Sequence, residues 1–251
     1  MAEQNFGGIT LKEAITFQTQ VMMGAQFGRI ASKEANGDDL MIACLRMGWN
    51  DAFRHTSKNE MDGNITVLEK GEASWRKTHK APHDDFICGN ILNQKALLTA
   101  FVEFACAGST ADKIKIINKN YTQLEQLLGK YKETSGDHAL CFGHFQKMFN
   151  IAIKLYVCLY LCREFVGIDD KLFRAEIIHN LQYADCPLDS IILEKLARDA
   201  QKKEYTSHKW SKYGTEAHPT ENYEKAQGEI AKLDVSKGNS NLYYDFVAWK
   251  Q

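Results

Sequence analysis

The most constraining feature of this sequence is an apolar run that covers almost the whole circumference of a helix. Between residues 145 and 161, bulky apolar side chains occupy nearly every position. A helix that is hydrophobic on all sides must be buried, so we expect this segment to be the central helix of the fold. Its polar exceptions Lys147, Asn150 and Lys154 recur at helical spacing and form one narrow stripe. Such a stripe must face water, a carboxylate or a ligand.

Composition agrees with an all-α fold. Only three prolines and 17 glycines occur in 251 residues, and 44% of the residues are hydrophobic, which is enough for a sizeable core. We therefore predict an all-α protein of two lobes with a cleft between them. One lobe would comprise residues 1–108 with the C-terminal helix, and the other would comprise residues 109–233.

Helical periodicity and capping residues predict the other elements. A capping-box pattern from Thr10 to Glu13 begins a long helix over residues 10–35, and Asp38 is positioned to cap a second helix. A short strand is expected at residues 65–68. The further predicted helices cover residues 92–106, 110–131, 173–181 and 220–233.

The sequence lacks the features of several broad classes of protein. The sequence has no apolar run of about 18 uncharged residues and no export signal, so we expect a soluble, cytoplasmic protein with no membrane partner. Seven cysteines, mostly embedded in apolar runs, are typical of reduced, buried thiols. The formal net charge of -1 gives no global basic signal. Binding to a nucleic acid would therefore rest on local basic patches.

Metal and nucleotide chemistry have weak motifs here. Neither glycine-rich phosphate-binding pattern occurs, and the Gly-x-Ser-x-Gly pattern of hydrolases is also missing. His138, Cys141 and His144 are closely spaced but complete no ligand set, so we expect no metal or other cofactor. A metal-dependent nuclease or phosphohydrolase stays an alternative, with four candidate ligands. These ligands are His79, His83, Asp84 and Asp85.

Lys147 and Asp189 bracket the central segment and are the strongest candidates for chemistry. Pro187 excludes helix immediately before it, so Asp189 stands where an N-cap belongs, and the helix dipole favours its anion. An amine in apolar surroundings is poorly hydrated as an ammonium, which favours the nucleophilic form. Together they can attack an anomeric carbon while the carboxylate stabilises positive charge on the sugar. The competing interpretation is a buried ion pair with an ordinary N-cap.

The segment from Gly143 to Lys147, the apolar helix and the Pro-Leu-Asp sequence ending at Asp189 resemble the catalytic core of the helix-hairpin-helix DNA glycosylases. The archaeal 8-oxoguanine glycosylase branch is the most similar. In that superfamily a Gly-x-Gly-x-Lys turn leads into a helix, and a Pro-x-Asp supplies a carboxylate at the start of a later helix. The resemblance implies that Lys147 is the Schiff-base nucleophile and Asp189 the catalytic aspartate. Gly143 matches the first hairpin glycine, and Phe145 takes the place of the second.

The resemblance implies excision of a base from double-stranded DNA, with the target nucleotide flipped out of the duplex. Lys147 would attack C1′, and the Schiff base would permit an associated AP-lyase step. Repair of host DNA and defence against modified phage DNA are both compatible with this chemistry. The alternative from another class is a non-enzymatic helical module that binds nucleic acid or protein in a defence or regulatory system.

Further residues complete the predicted site. Gln146 and Asn150 could bind a base edge, with Lys154 beside them, and Trp210 could stack on an extruded base. A basic tract follows Asp189 and could bind phosphates, although a solvated helix face has the same composition. The candidate contacts to the DNA backbone are Gly143, His144, Lys195, Arg198, Lys202, Lys203 and Lys212.

Overall fold

The structure, a computed structural model, describes residues 36–54, 91–127, 141–166 and 168–248, together with Gly7 and Ile9. In these ranges the chain forms eight α-helices and no β-strand, which confirms the predicted all-α fold. The helices are α1 (Gly37–Arg54), α2 (Ile91–Cys106), α3 (Thr110–Leu127), α4 (Phe142–Val166), α5 (Ala175–Asn180), α6 (Ser190–Asp199), α7 (Thr220–Lys232) and α8 (Asn241–Ala248).

Short 3-10 turns connect the helices in the second half of the chain. The helix predicted over residues 173–181 is shorter than expected, because Phe173 and Arg174 have extended backbone and Leu181 begins a 3-10 turn. The turns are Asp170–Leu172, Leu181–Tyr183, Lys203–Ser207, Trp210–Lys212 and Asp234–Ser236.

Helix α4 is the buried centre of the described structure, as its apolar pattern predicts. Across residues 142–163 only Ile151 and Tyr160 are more than slightly exposed. The helix is longer at both ends than the predicted segment of residues 145–161. Neither α4 nor any other helix in the described ranges has the combination of length and hydrophobicity that a membrane span requires.

Helix α1 packs along α4, and this is the most extensive helix pair of the described chain. Gly48 permits the close approach, because a Cβ at this position would lie only 2.2 Å from the carbonyl oxygen of Met148. The apolar face of α1 completes the contact. Its buried residues are Leu40, Met41, Cys44, Leu45 and Ala52.

Aromatic side chains attach two further helices to α4. From α2, the rings of Phe101 and Phe104 lie 6.0 and 5.2 Å from the ring of Phe149. From α3, Tyr121 meets Phe145 edge to face at 5.8 Å. Such pairs add specific geometry to the burial of apolar surface, so they fix how α2 and α3 sit on the central helix.

The cap of α1 differs from the prediction. Asn36, and not Asp38, caps this helix, since Asn36 Oδ1 accepts hydrogen bonds from the N–H groups of Asp38 and Asp39 at 2.9 and 3.0 Å. The Asp38 carboxylate instead forms an ion pair with Arg174 at 3.1 Å. Asp38 therefore contributes a surface contact between α1 and the start of α5.

Some predictions concern residues outside the described ranges. These include the helix over residues 10–35 and the strand at residues 65–68. The division into two lobes with a cleft stays a prediction for the same reason, since much of the first lobe lies outside these ranges. The alternative metal ligands His79, His83, Asp84 and Asp85 also lie outside.

We expect Gly48→Ala to lower the free energy of unfolding by about 1–3 kcal/mol, because the added methyl group would force α1 away from the Met148 carbonyl. Gly228→Ala is the matched control. A Cβ at Gly228 in α7 would have no heavy atom within 4 Å, so this change should be neutral or stabilising by up to about 1 kcal/mol. Urea unfolding measures both variants, and equal stabilities would contradict the close packing of α1 on α4.

Candidate functional site

Lys147 and Asp189, far apart in the sequence, lie next to each other in the structure. The Lys147 Nζ is 3.6 Å from Asp189 Oδ2 and 3.1 Å from Asp51 Oδ2. It also lies 4.8 Å from the ring centroid of Trp210, within the range of a cation–π contact. We name these four residues the lysine cluster. They come from α4, the start of α6, α1 and the Trp210–Lys212 turn.

The lysine cluster reaches the surface through its carboxylates. The side chain of Lys147 is 2% exposed, whereas those of Asp189 and Asp51 are 14% and 33% exposed. A ligand would therefore reach the ammonium group along the side on which Asp51 lies.

Asp189 is the N-cap of α6, as predicted. Its Oδ1 accepts a hydrogen bond from the N–H of Ile192 at 2.9 Å, and its backbone is extended. The two oxygens therefore have separate partners, since Oδ1 caps the helix while Oδ2 faces Lys147.

Two glutamine side chains hold the backbone that leads into Asp189. Gln146 donates to the carbonyl of Leu188 at 3.0 Å and accepts from the N–H of the same residue at 3.3 Å. Gln227 does the same for Cys186, at 2.7 and 3.0 Å. Each amide satisfies both backbone groups of a buried residue. Gln146, predicted to contact the substrate, therefore uses both ends of its amide to position Asp189.

Asn150, also predicted to contact the substrate, belongs to a buried network beneath Asp189. Its Nδ2 donates to the hydroxyl of Tyr223 at 3.0 Å, and that hydroxyl donates to Asp185 Oδ2 at 2.9 Å. Asp185 in turn pairs with Lys113 at 3.3 Å. Burial, together with the charge of Asp185, raises the pKa of the Tyr223 hydroxyl well above its usual value, so it stays a donor. The network ties α3, α4 and α7 together.

Trp210 packs against the residues at the start of α4. A Cβ at Gly143 would lie 1.8 Å from the Trp210 carbonyl, and the His144 ring meets the indole edge to face at 5.8 Å. Gly143 and His144, two of the predicted contacts to DNA phosphates, are buried in the structure. Their contact with DNA stays a prediction. Trp210 is only 8% exposed, and its face is occupied by Lys147. It positions the ammonium group here and leaves little surface for stacking on a base.

Lys154 lies outside the lysine cluster. It forms an ion pair with Asp245 of α8, in which both side chains are 2% exposed, and its Nζ lies 4.8 Å from the ring of Phe246. The ammonium group of Lys154, predicted to bind substrate, is enclosed against α8, and its contact with a substrate stays a prediction. Both lysines of the polar stripe on α4 therefore face carboxylates: Lys147 faces Asp51 and Asp189, and Lys154 faces Asp245.

We expect Lys154→Met to lower the free energy of unfolding by about 3–5 kcal/mol, because it leaves the buried carboxylate of Asp245 without its ion-pair partner. The double variant Lys154→Met/Asp245→Leu removes both charges and should recover most of that loss. Urea unfolding compares the two. A double variant as unstable as the single one would contradict this account of the pair.

The predicted phosphate-binding tract is partly used within the protein. Lys195 is buried and pairs with Asp199 at 3.2 Å, and Lys202 pairs with Glu229 at 2.8 Å. The other predicted contacts are Arg198 and Lys203, which are exposed, and Lys212, which is half-buried. The tract therefore presents a smaller cationic surface than its composition suggests.

Sequence reasoning missed Asp51, which makes the shortest contact with Lys147. Asp51 follows Gly48 by three residues and Cys44 by seven, so it belongs to the face of α1 that packs on α4. An acidic residue on the apolar face of an amphipathic helix is the signal that could have identified it. Its pairing with Lys147 required the helix packing, which periodicity does not give.

His144 has a strongly perturbed titration. Burial lowers its pKa to about 4, and the nearby charge of Lys147 acts in the same direction. In the unfolded chain the imidazole takes up a proton near its ordinary pKa of 6.5. Its contribution to stability is therefore fully present above pH 6.5 and is lost as the pH falls towards 4.

We expect His144→Asn, which offers a hydrogen-bond acceptor without a titrating ring, to weaken this pH dependence. Between pH 6 and pH 4.5 the wild type should lose about 1 kcal/mol more per pH unit than the variant. Urea unfolding at a series of pH values measures the difference. A constant difference between the two proteins would show that His144 takes up its proton equally in both states.

In the described part of the chain, no group of three or more His, Cys, Asp or Glu side chains is placed to hold a metal ion. Cys141 Sγ and His144 Nδ1 lie 3.5 Å apart, but the third residue of that sequence pattern, His138, lies outside the described residues. The lysine cluster therefore stays the best candidate for chemistry among the described residues.

Comparison of this chain with known proteins found no matching family model, curated protein or solved structure. The functional assignment therefore depends on the geometry of the lysine cluster.

Proposed function

We propose that this protein is a DNA glycosylase in which Lys147 is the nucleophile and Asp189 its electrostatic partner. The observation that carries the proposal is the distance of 3.6 Å between Lys147 Nζ and Asp189 Oδ2. The cap of α6 holds the Asp189 side chain in place, because its Oδ1 accepts the N–H of Ile192. Both groups lie near a surface formed by partly exposed carboxylates, to which a flipped nucleotide could be presented.

The reaction would use these groups in sequence. The amine of Lys147 forms a bond to C1′ of the deoxyribose while the bond from C1′ to the base breaks. The electron pair of that bond leaves with the base, which takes up a proton, and the anion of Asp189 stabilises the positive charge on the sugar. Opening of the sugar ring gives a Schiff base. Water hydrolyses it, or elimination of the 3′ phosphate completes an AP-lyase step.

Contact with the DNA backbone would come from the exposed cations near the far end of α6. Arg198 and Lys203 are exposed, and α6 is a helix of ten residues that begins at Asp189. A helix of that length spans about 15 Å. Phosphates flanking a flipped nucleotide could therefore be bound by Arg198 near the end of α6 and by Lys203 in the turn that follows it.

The proposal covers two sources of substrate. A damaged base in host DNA and a modified base in phage DNA both require attack at C1′, and the lysine cluster supplies that chemistry without regard to the base. The choice between repair and antiviral defence depends on the residues that contact the base.

A second candidate function, a non-enzymatic module that binds nucleic acid or protein, is favoured by the burial of Lys147. A lysine side chain that is 2% exposed and 3.1 Å from Asp51 also serves as an ion pair between α4 and α1. Such a module would show salt-sensitive binding to DNA without release of a base.

We expect Lys147→Gln to abolish a covalent adduct that the wild type forms with DNA under borohydride reduction, because an amide cannot form a Schiff base. The substrates are duplexes that carry an abasic site or 8-oxoguanine, and natively modified phage DNA. A denaturing gel measures the adduct, and chromatography of the supernatant measures the released base.

Two variants control for folding. Lys147→Arg keeps a positive charge beside Asp51 and Asp189 but forms no Schiff base, so it should remain folded and inactive. Lys119→Gln changes a lysine that is 70% exposed on α3 and should react like the wild type. An adduct that persists in Lys147→Gln would place the nucleophile elsewhere. A wild type that forms no adduct and releases no base from any substrate would favour the binding module.

A further inference from the structure

We propose that Asp51 is the proton acceptor that converts Lys147 from an ammonium ion into a nucleophilic amine, an assignment that rests on the proposed glycosylase function. A lysine must lose a proton before it attacks. Two carboxylates face the ammonium group, and Asp51 is the nearer, with its Oδ2 at 3.1 Å against 3.6 Å for Asp189. The backbone carbonyl of Asp51 lies at 3.5 Å from the same nitrogen.

Asp189 is poorly placed for this role. Its Oδ1 accepts the N–H of Ile192 as the N-cap of α6. Uptake of a proton by Asp189 would weaken the helix cap and remove the negative charge that stabilises the sugar cation. The proton of Lys147 therefore has a better acceptor in the other carboxylate.

Asp51 lies in the last turn of α1. Its side chain is 33% exposed, so it can pass a proton on to solvent or to a bound substrate. The bare backbone at Gly48, one turn earlier, lets α1 approach α4 closely enough to bring Asp51 onto Lys147.

The proton transfers balance. The ammonium of Lys147 gives one proton to the Asp51 carboxylate, which leaves a neutral amine and a carboxylic acid. The amine then uses its lone pair to bond to C1′, and the electron pair of the broken glycosidic bond leaves with the base. The proton held by Asp51 neutralises the departing base. Asp51 returns to the anion, and the positive charge ends on the nitrogen of the sugar–lysine adduct.

An abasic-site duplex tests this role without knowledge of the excised base. Single-turnover formation of the borohydride-trapped adduct would be followed from pH 6 to pH 9 for the wild type and Asp51→Asn. We expect Asp51→Asn to slow the reaction by about 100-fold at pH 7, because general acid–base catalysis contributes on that order. The rate of the variant should rise with pH, as hydroxide replaces the missing base.

A purely electrostatic role predicts the opposite result. If Asp51 only stabilised the ammonium ion, its neutralisation would release the amine and speed adduct formation at pH 7. A rate for Asp51→Asn equal to or above that of the wild type would therefore overturn the assignment while leaving the glycosylase proposal intact. A wild type that gives no adduct on this duplex or on the base-containing duplexes would overturn both.

Chemical rescue separates a missing base from a damaged fold. Asp51→Ala opens space beside Lys147, and added sodium formate should restore the rate in proportion to its concentration, whereas sodium chloride should not. Asp234→Asn changes an aspartate that is 92% exposed and should leave the rate and its pH profile unchanged. A variant that formate cannot rescue, with an unfolding temperature like that of the wild type, would contradict proton transfer through Asp51.

Discussion

The described structure depends on the ammonium group of Lys147, which lies inside an otherwise apolar helix. A buried, unpaired cation costs several kcal/mol, so α4 can occupy the centre only if other elements bring anions to it. Helix α1 brings Asp51 and the N-terminus of α6 brings Asp189. Both elements are therefore held to α4 by an electrostatic requirement, and α1 also packs extensively along α4. The exposed flanks of the two carboxylates keep this arrangement open to solvent on one side.

More contacts hold Asp189 in position than an ordinary N-cap has. Gln146 and Gln227 hold the backbone of Leu188 and Cys186, two of the three residues directly before Asp189, all of which are buried. The hydrogen bond from the Tyr223 hydroxyl to Asp185 supports the start of the same segment. Electrostatic stabilisation of a transition state requires groups that are held in place before the reaction. Holding the segment in this way requires several buried polar side chains. An N-cap alone would not require them.

Sequence periodicity was sufficient for the central helix, because the apolar surface of α4 leaves no other place for it than the core. The N-cap at Asp189 was also predictable, since a proline two residues earlier limits where α6 can begin. The partners of the polar side chains were not predictable. Gln146, Asn150 and Lys154 all face protein groups, and which groups these are depends on tertiary packing. Composition likewise could not show that Lys195 is buried against Asp199.

The features that would make Lys147 purely structural also suit it to covalent chemistry. A nucleophilic lysine has to be withheld from water and held in one direction, and burial with two carboxylates does both. The difference lies in whether a proton can leave the ammonium group. Asp189 caps α6, whereas Asp51 lies in the last turn of α1 with 33% of its side chain exposed. In the proposed mechanism, Asp51 would hold the proton of Lys147 while Asp189 keeps its charge.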